Sequence, residues 1–142
     1  HMEEDLIVWE LRRRGPPTAA CPAIIPLEAA RATIGRDPGG VNRFVLQSVT
    51  VSRVHALVWL EGGQPMIYDV SRTGVMVDGV RMDTHGSRDL QEGQRVQFAQ
   101  YADAALFDYD VVRRRVRRRI GDAGSGSAAP APPGASGAST SA

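Results

Sequence analysis

The chain of 142 residues contains no lysine, and all 17 of its basic residues are arginine. Codon bias accounts for that more simply than chemistry does, and no function follows from it. Cys21 is the single cysteine. This excludes a disulfide framework and a cysteine metal cluster, and it leads us to expect a reducing, cytoplasmic setting. No apolar run approaches the ~20 residues that a membrane-spanning helix needs. No signal-peptide pattern opens the chain, no stretch has convincing helical periodicity, and no internal repeat is present. A Walker loop, a metal-ligand cluster and paired carboxylates in a suggestive setting are all missing. No enzyme motif, catalytic residue, metal or cofactor is therefore implied.

What is present divides the chain into three parts. His1-Met2 reads as a cloning scar, and residues 1–4 as scar plus a flexible N-terminus. Residues 5–119 have the length of one ordinary domain with a single core. Residues 120–142 are almost entirely Ala, Gly, Ser and Pro. Such a segment cannot bury enough apolar area to offset its chain entropy, so a disordered tail or linker is expected. The net charge of +1 conceals an asymmetry. Six arginines lie in Arg113–Arg119, while residues 1–112 hold 11 arginines against 15 acids, a balance of −4. The body as a whole has no charge excess that would favour nucleic acid.

Between turn signals run about ten short stretches of strand character. They are Leu6–Leu11, Ile24–Leu27, Arg31–Arg36, Phe44–Leu46, His55–Leu60, Pro65–Val70, Val75–Val77, Val80–Met82, Arg95–Ala99 and Phe107–Val111. Pro26 puts the second at a sheet edge, because proline cannot donate to a ladder. His55–Leu60 is apolar on both sides and reads as a central strand covered on two faces. Asp78-Gly79 is the strongest short hairpin signal. Regular short strands without helices predict an all-β antiparallel sandwich of about ten to eleven strands.

Three turns stand out. Gly35-Arg36 precedes Ser52-Arg53-Val54-His55 by 16 residues, counted from Arg36 to Ser52, and Ser71-Arg72-Thr73-Gly74 begins 19 residues after Ser52. Turns at one end of a sandwich converge in space. Together these would offer arginines, hydroxyls and backbone N–H groups with no acidic neighbour, a donor set suited to a phosphate monoester.

In order and spacing, Ile34-Gly35-Arg36, Ser52-Arg53-Val54-His55-Ala56 and Asp69-Val70-Ser71-Arg72-Thr73-Gly74 through Asp78-Gly79 resemble the forkhead-associated (FHA) domain. The resemblance covers nearly the whole body. It implies an FHA/SMAD-like β-sandwich of eleven strands that binds phosphothreonine peptides in Ser/Thr kinase signalling, without catalysis. It further implies phosphopeptide-binding roles for Arg36, Ser52, Arg53, Arg72 and Thr73. Gly35, His55, Ser71 and Gly74 would be structural supports of that site. The implied partner is a phosphothreonine-containing protein or peptide, a kinase or its substrate, bound by a monomer; neither nucleic acid nor membrane is expected. Thr73 stands where the family pattern has asparagine, Val75 where it has threonine, and Asp78 where it has a second asparagine. The Thr73 departure favours an alternative, a degenerate FHA-like scaffold that binds a protein partner independently of phosphorylation.

Two further features have competing readings. Cys21, His55 and Asp69 could be imagined as nucleophile, base and orienter, but no local signature supports that, and a buried hydrogen-bonding role suits His55 better. The Arg113–Arg119 run could be an electrostatic patch for nucleic acid or anionic lipid. The simpler reading is a solvated extension of the last strand.

Overall fold

A computed structural model describes residues 3–99 and 105–119. His1, Met2 and the expected tail, 120–142, lie outside the described residues. Among the described residues there are eleven strands and no helix. They are β1 (Glu3–Arg13), β2 (Ile24–Leu27), β3 (Ala32–Gly35), β4 (Phe44–Val45), β5 (Ala56–Glu61), β6 (Gln64–Asp69), β7 (Met76–Val77), β8 (Val80–Arg81), β9 (Ser87–Asp89), β10 (Arg95–Gln97) and β11 (Asp108–Arg119). One sheet has the order β2-β1-β11-β10-β7-β8 and the other β4-β3-β5-β6-β9. The strands form two compact units: Trp9–Arg113, and a ribbon of which Glu3–Val8 and Arg114–Arg119 are described.

In the larger unit the two sheets make the expected all-β sandwich. Its core draws on both, with Ile34, Val58 and Ile67 from one sheet and Leu11, Val96 and Tyr109 from the other fully buried. β2 is an edge strand, as Pro26 requires. Asp78 takes the left-handed backbone of the β7–β8 hairpin turn, with φ 51°. One pairing departs from the antiparallel expectation: β3 and β4 run parallel.

Register decides where the loops go. β5 and β6 pair from Ala56↔Asp69 to Glu61↔Gln64. β3 pairs antiparallel with β5, so Ile34 faces Ala56. The C-terminal end of β3, the N-terminal end of β5 and the C-terminal end of β6 therefore share one edge of the sheet. All three candidate turns emerge there.

Two expectations, about β9 and about the start of β1, are corrected. β9 is absent from the strand reading, because Ser87-Arg88-Asp89 is polar throughout; it exists by pairing with β6 at the sheet edge. β5 is central and covered on both faces: Ala56 and Val58 are buried on the inner one, and on the outer one Leu57 is half-buried and Trp59 buried, its ring capped by the Arg31 guanidinium 4.4 Å from its centroid. β1 starts at Glu3, so Glu3 and Glu4, expected in a flexible N-terminus, lie in a strand.

In the ribbon the arginine-rich half of β11 faces acids of β1. Arg118 pairs with Glu4 at 3.1 Å, and Arg117 lies 3.6 Å from Glu3 and 3.5 Å from Asp5. Each such exposed pair contributes roughly 0–1 kcal/mol. The run is thus largely strand, consistent with the solvated-extension reading.

Phe98 is fully buried and meets Tyr109 edge-on at 5.7 Å and His55 at 6.1 Å. Phe98→Ala should lower unfolding stability by about 3–5 kcal/mol in a urea titration. A loss below about 1 kcal/mol would contradict this packing.

Candidate functional site at the loop end of the sandwich

Gly35 is where the first two loops touch. A Cβ built there would lie 2.2 Å from the Arg53 carbonyl oxygen and 2.8 Å from Asn42 Oδ1. Glycine is required by close approach, because no side-chain atom fits. Arg36 N–H then donates to the Ser52 carbonyl at 2.9 Å and Asp37 N–H to the Arg53 carbonyl at 3.3 Å. Asn42 locks the same junction, its Nδ2 donating to the carbonyls of Asp37 at 2.9 Å and Arg53 at 2.6 Å. Nothing in the sequence singles out Asn42, which belongs to none of the three motifs. The Arg36 guanidinium is itself anchored, Nε donating to the Val51 carbonyl at 2.9 Å. Its two terminal nitrogens have no partner among the described residues, so they form an open fork.

His55 joins the second loop to the third. Its ring is fully buried. Ser52 N–H donates to Nδ1 at 3.0 Å. Nδ1 is therefore an acceptor, and the ring proton sits on Nε2, which donates to the Gly74 carbonyl at 3.0 Å. Burial holds the imidazole below the ordinary histidine value of 6.5, against the opposing pull of the Gly74 bond and the Asp69 carboxylate. With both ring nitrogens engaged by backbone, His55 cannot serve as base to Cys21, whose Sγ lies against the Leu106 carbonyl.

The third loop is folded by Asp69 and Ser71, both buried. Asp69 Oδ1 accepts from Ser71 N–H at 2.8 Å and from the Ser71 hydroxyl at 2.6 Å, and the Ser71 hydroxyl in turn accepts from Gly74 N–H at 2.8 Å. Gly74 has φ +104°, which residues bearing a Cβ rarely adopt. The loop then reaches back twice. Arg72 N–H donates to Ser52 Oγ at 3.0 Å, and Thr73 Oγ1 donates to the Thr50 carbonyl at 2.9 Å.

This network determines what is left to bind with. On Ser52 the N–H, the carbonyl and one hydroxyl lone pair are engaged internally. Its remaining donor is the O–H proton. Arg36, Ser52, Arg53, Arg72 and Thr73 all line one cleft of about 880 Å³, and no acidic residue lines it. Gly35, His55, Ser71 and Gly74 sit behind that lining as buried supports. The site residues expected from sequence did not include Val49, Thr50, Val51, Val54 and Val70, which also line the cleft; Val49 is 91% exposed. Val54 and Val70 stand inside the three motifs, and Val49, Thr50 and Val51 directly precede Ser52, so adjacency to the motifs is the signal that could have found them.

The fold and site define a β-sandwich module whose loop end gathers guanidinium and hydroxyl donors without an acid. Residues 32–99 match the family model of the FHA domain. Among solved structures, Mycobacterium tuberculosis EmbR in complex with a low-affinity phosphopeptide is similar at 27% identity and TM-score 0.57. The match covers 74% of this chain but only 24% of that one, so the chain spans about a quarter of the EmbR chain. The FHA domain of the CT664 protein from Chlamydia trachomatis is similar in fold at 22% identity and TM-score 0.59, over 74% of this chain and 96% of that one. So is the N-terminal FHA domain of S. cerevisiae Rad53p in complex with a phosphothreonine peptide, at 18% identity and TM-score 0.55, over 75% of this chain and 91% of that one. No curated protein is significantly similar to the chain in sequence.

Two outcomes follow from the supports. Gly35→Ala forces the Arg53 carbonyl away and should cost about 1–3 kcal/mol in urea unfolding; an unchanged midpoint would contradict the close approach. The folded state keeps His55 neutral, so the unfolded chain takes up the proton first. Stability from this site is therefore complete above pH 6.5 and is lost as pH falls below it toward the lowered folded-state value. Urea midpoints measured from about pH 8 to about pH 5 should show that fall, with His85→Gln retaining it. His85 is exposed and serves as the control. A flat profile would contradict a neutral, doubly bonded His55.

Proposed function

We propose that this domain is a phosphothreonine-peptide binding module without catalysis, serving Ser/Thr kinase signalling in the cytoplasm as a monomer. The observation that carries the reading is the acid-free cleft, where the Arg36 fork and the Ser52 O–H proton converge with Arg53 and Arg72. Guanidinium forks match phosphate oxygens two at a time, and hydrogen bonds to a charged acceptor are the strong ones. The phosphopeptide complexes of EmbR and Rad53p support the same reading. In it Arg36 pairs with the phosphate, Ser52 donates its hydroxyl proton, and Arg53 and Arg72 add positive charge from two loops. The partner is a phosphothreonine segment of a kinase or of its substrate.

One observation favours a second reading. The Thr73 hydroxyl proton is engaged by the Thr50 carbonyl, so this side chain offers a ligand no donor. A scaffold that holds its partner without phosphate would need none.

Titrating isotope-labelled protein with a degenerate phosphothreonine peptide pool, beside its unphosphorylated twin, separates the two. Amide shifts at Arg36, Ser52, Arg53, Arg72 and Thr73 with the phosphorylated pool alone support the module. Silence with both pools up to millimolar peptide turns the case to the scaffold. Arg36→Ala should weaken phosphopeptide binding at least about 100-fold, as expected when a guanidinium–phosphate pair is lost. Near-normal binding by that variant would contradict the assignment.

A further inference from the structure

The cleft holds more positive charge than one phosphate requires. Arg36 and Ser52 are half-buried at its floor, whereas Arg53 and Arg72 are exposed at its rim. Neither rim guanidinium has a hydrogen-bond or ion-pair partner among the described residues. Elsewhere in the same unit several arginines are matched with acids, Arg14 with Asp110, Arg43 with Glu28 and Arg95 with Asp108, while Arg31 lies over the Trp59 ring. Residues 1–112 carry 15 acids against 11 arginines, yet none of those acids lines the cleft. Three guanidiniums without an acid partner are therefore gathered in one cleft, within a domain body of the opposite net sign.

A phosphothreonine monoester brings about −1.5 to −2 at neutral pH. Three guanidiniums bring more than that. A cleft of about 880 Å³ also has room well beyond one phosphoryl group. With the Thr73 proton engaged internally, charge is what the rim has left to read. We propose that Arg53 and Arg72 receive a second anionic group on the same ligand, close to the phosphothreonine: either an acidic side chain or a second phosphate. The preferred ligand is then an acidic or doubly phosphorylated segment. This rests on the phosphothreonine reading above.

The test is calorimetric titration at one fixed salt concentration with four peptides of a common sequence. One carries a single phosphothreonine among alanines, one adds glutamates on both sides, one adds a second phosphothreonine, and one is unphosphorylated. The expected result is that glutamate, the second phosphate or both tighten wild-type binding about tenfold over the alanine-flanked peptide, and that this ratio falls to within about twofold in the Arg53→Gln/Arg72→Gln double variant. A gain with glutamate identifies an acidic side chain; a gain with the second phosphate alone identifies a doubly phosphorylated segment. Equal wild-type affinity for all three phosphorylated peptides overturns the inference and leaves the phosphothreonine reading standing. A gain that survives in the double variant overturns it as well. Failure of every phosphorylated peptide to bind removes the underlying reading and the inference with it.

Discussion

The His55 ring accepts a hydrogen bond from Ser52 N–H and donates one to the Gly74 carbonyl, with no solvent access to either nitrogen. Only the neutral ring can do both. Protonation would turn the acceptor nitrogen into a donor and set it against an N–H. Each bond contributes modestly, about 0.5–1.5 kcal/mol net, but a buried group left without its partner costs about 1–3 kcal/mol. A single side chain therefore ties the second loop to the third from within the core, alongside the Arg72–Ser52 and Thr73–Thr50 bonds nearer the surface. Backbone bonds from the same residue complete the junction: His55 N–H donates to the Ile34 carbonyl, and the His55 carbonyl accepts from Val70 N–H. One buried histidine thus touches all three segments from which the cleft is built.

The cleft inherits its chemistry from what that frame leaves over. Most polar groups of the three loops are engaged internally, and such engagement stiffens them before any ligand arrives. The Arg36 fork is held by its Nε, and the Ser52 hydroxyl is held by Arg72 N–H from behind. Ordering a flexible arginine at the moment of binding costs free energy that an anchored one does not. Gly35 belongs to the same logic, since its missing side chain lets two strands of donors lie against each other. Packing beneath the frame carries this outward: Phe98 presses on His55 from the core and meets Tyr109 beyond it. The site is rigid because it stands on the hydrophobic centre of the sandwich.

Much of this was legible in the sequence, and the reasons differ by element. β2, β5, β6 and the Asp78-Gly79 hairpin announce themselves through β-branched residues, proline placement and turn chemistry. The three loop motifs were legible because each requires unusual residues, a glycine with no room for a Cβ or a serine between backbone donors. β9 was not, because Ser87-Arg88-Asp89 owes its strand character to pairing with β6 rather than to its own side chains. The length of β11 was hidden for a similar reason. Arginines have little strand preference, and those of the ribbon are held by acids more than a hundred positions earlier in the chain. Asn42 could not be found at all, since its role depends on two carbonyls brought together only by the fold. Sequence patterns report local preference and periodicity; they do not report which distant carbonyl will need a donor.

The absence of lysine gains a consequence at this site. Every cation in the cleft is a guanidinium, which keeps its proton at any pH the protein meets. The charge offered by the protein is therefore constant, and pH acts through two other groups. The second proton of a phosphate monoester titrates near ~6. His55, held below 6.5 by burial, resists protonation over the upper part of the same range. Under the proposed function both effects have the same sign as acidity rises: the ligand loses charge, and protonation of the ring would remove the acceptor that holds Ser52 N–H. The guanidiniums contribute to neither, so the response comes from the ligand and the frame rather than from any change in the charge of the cleft.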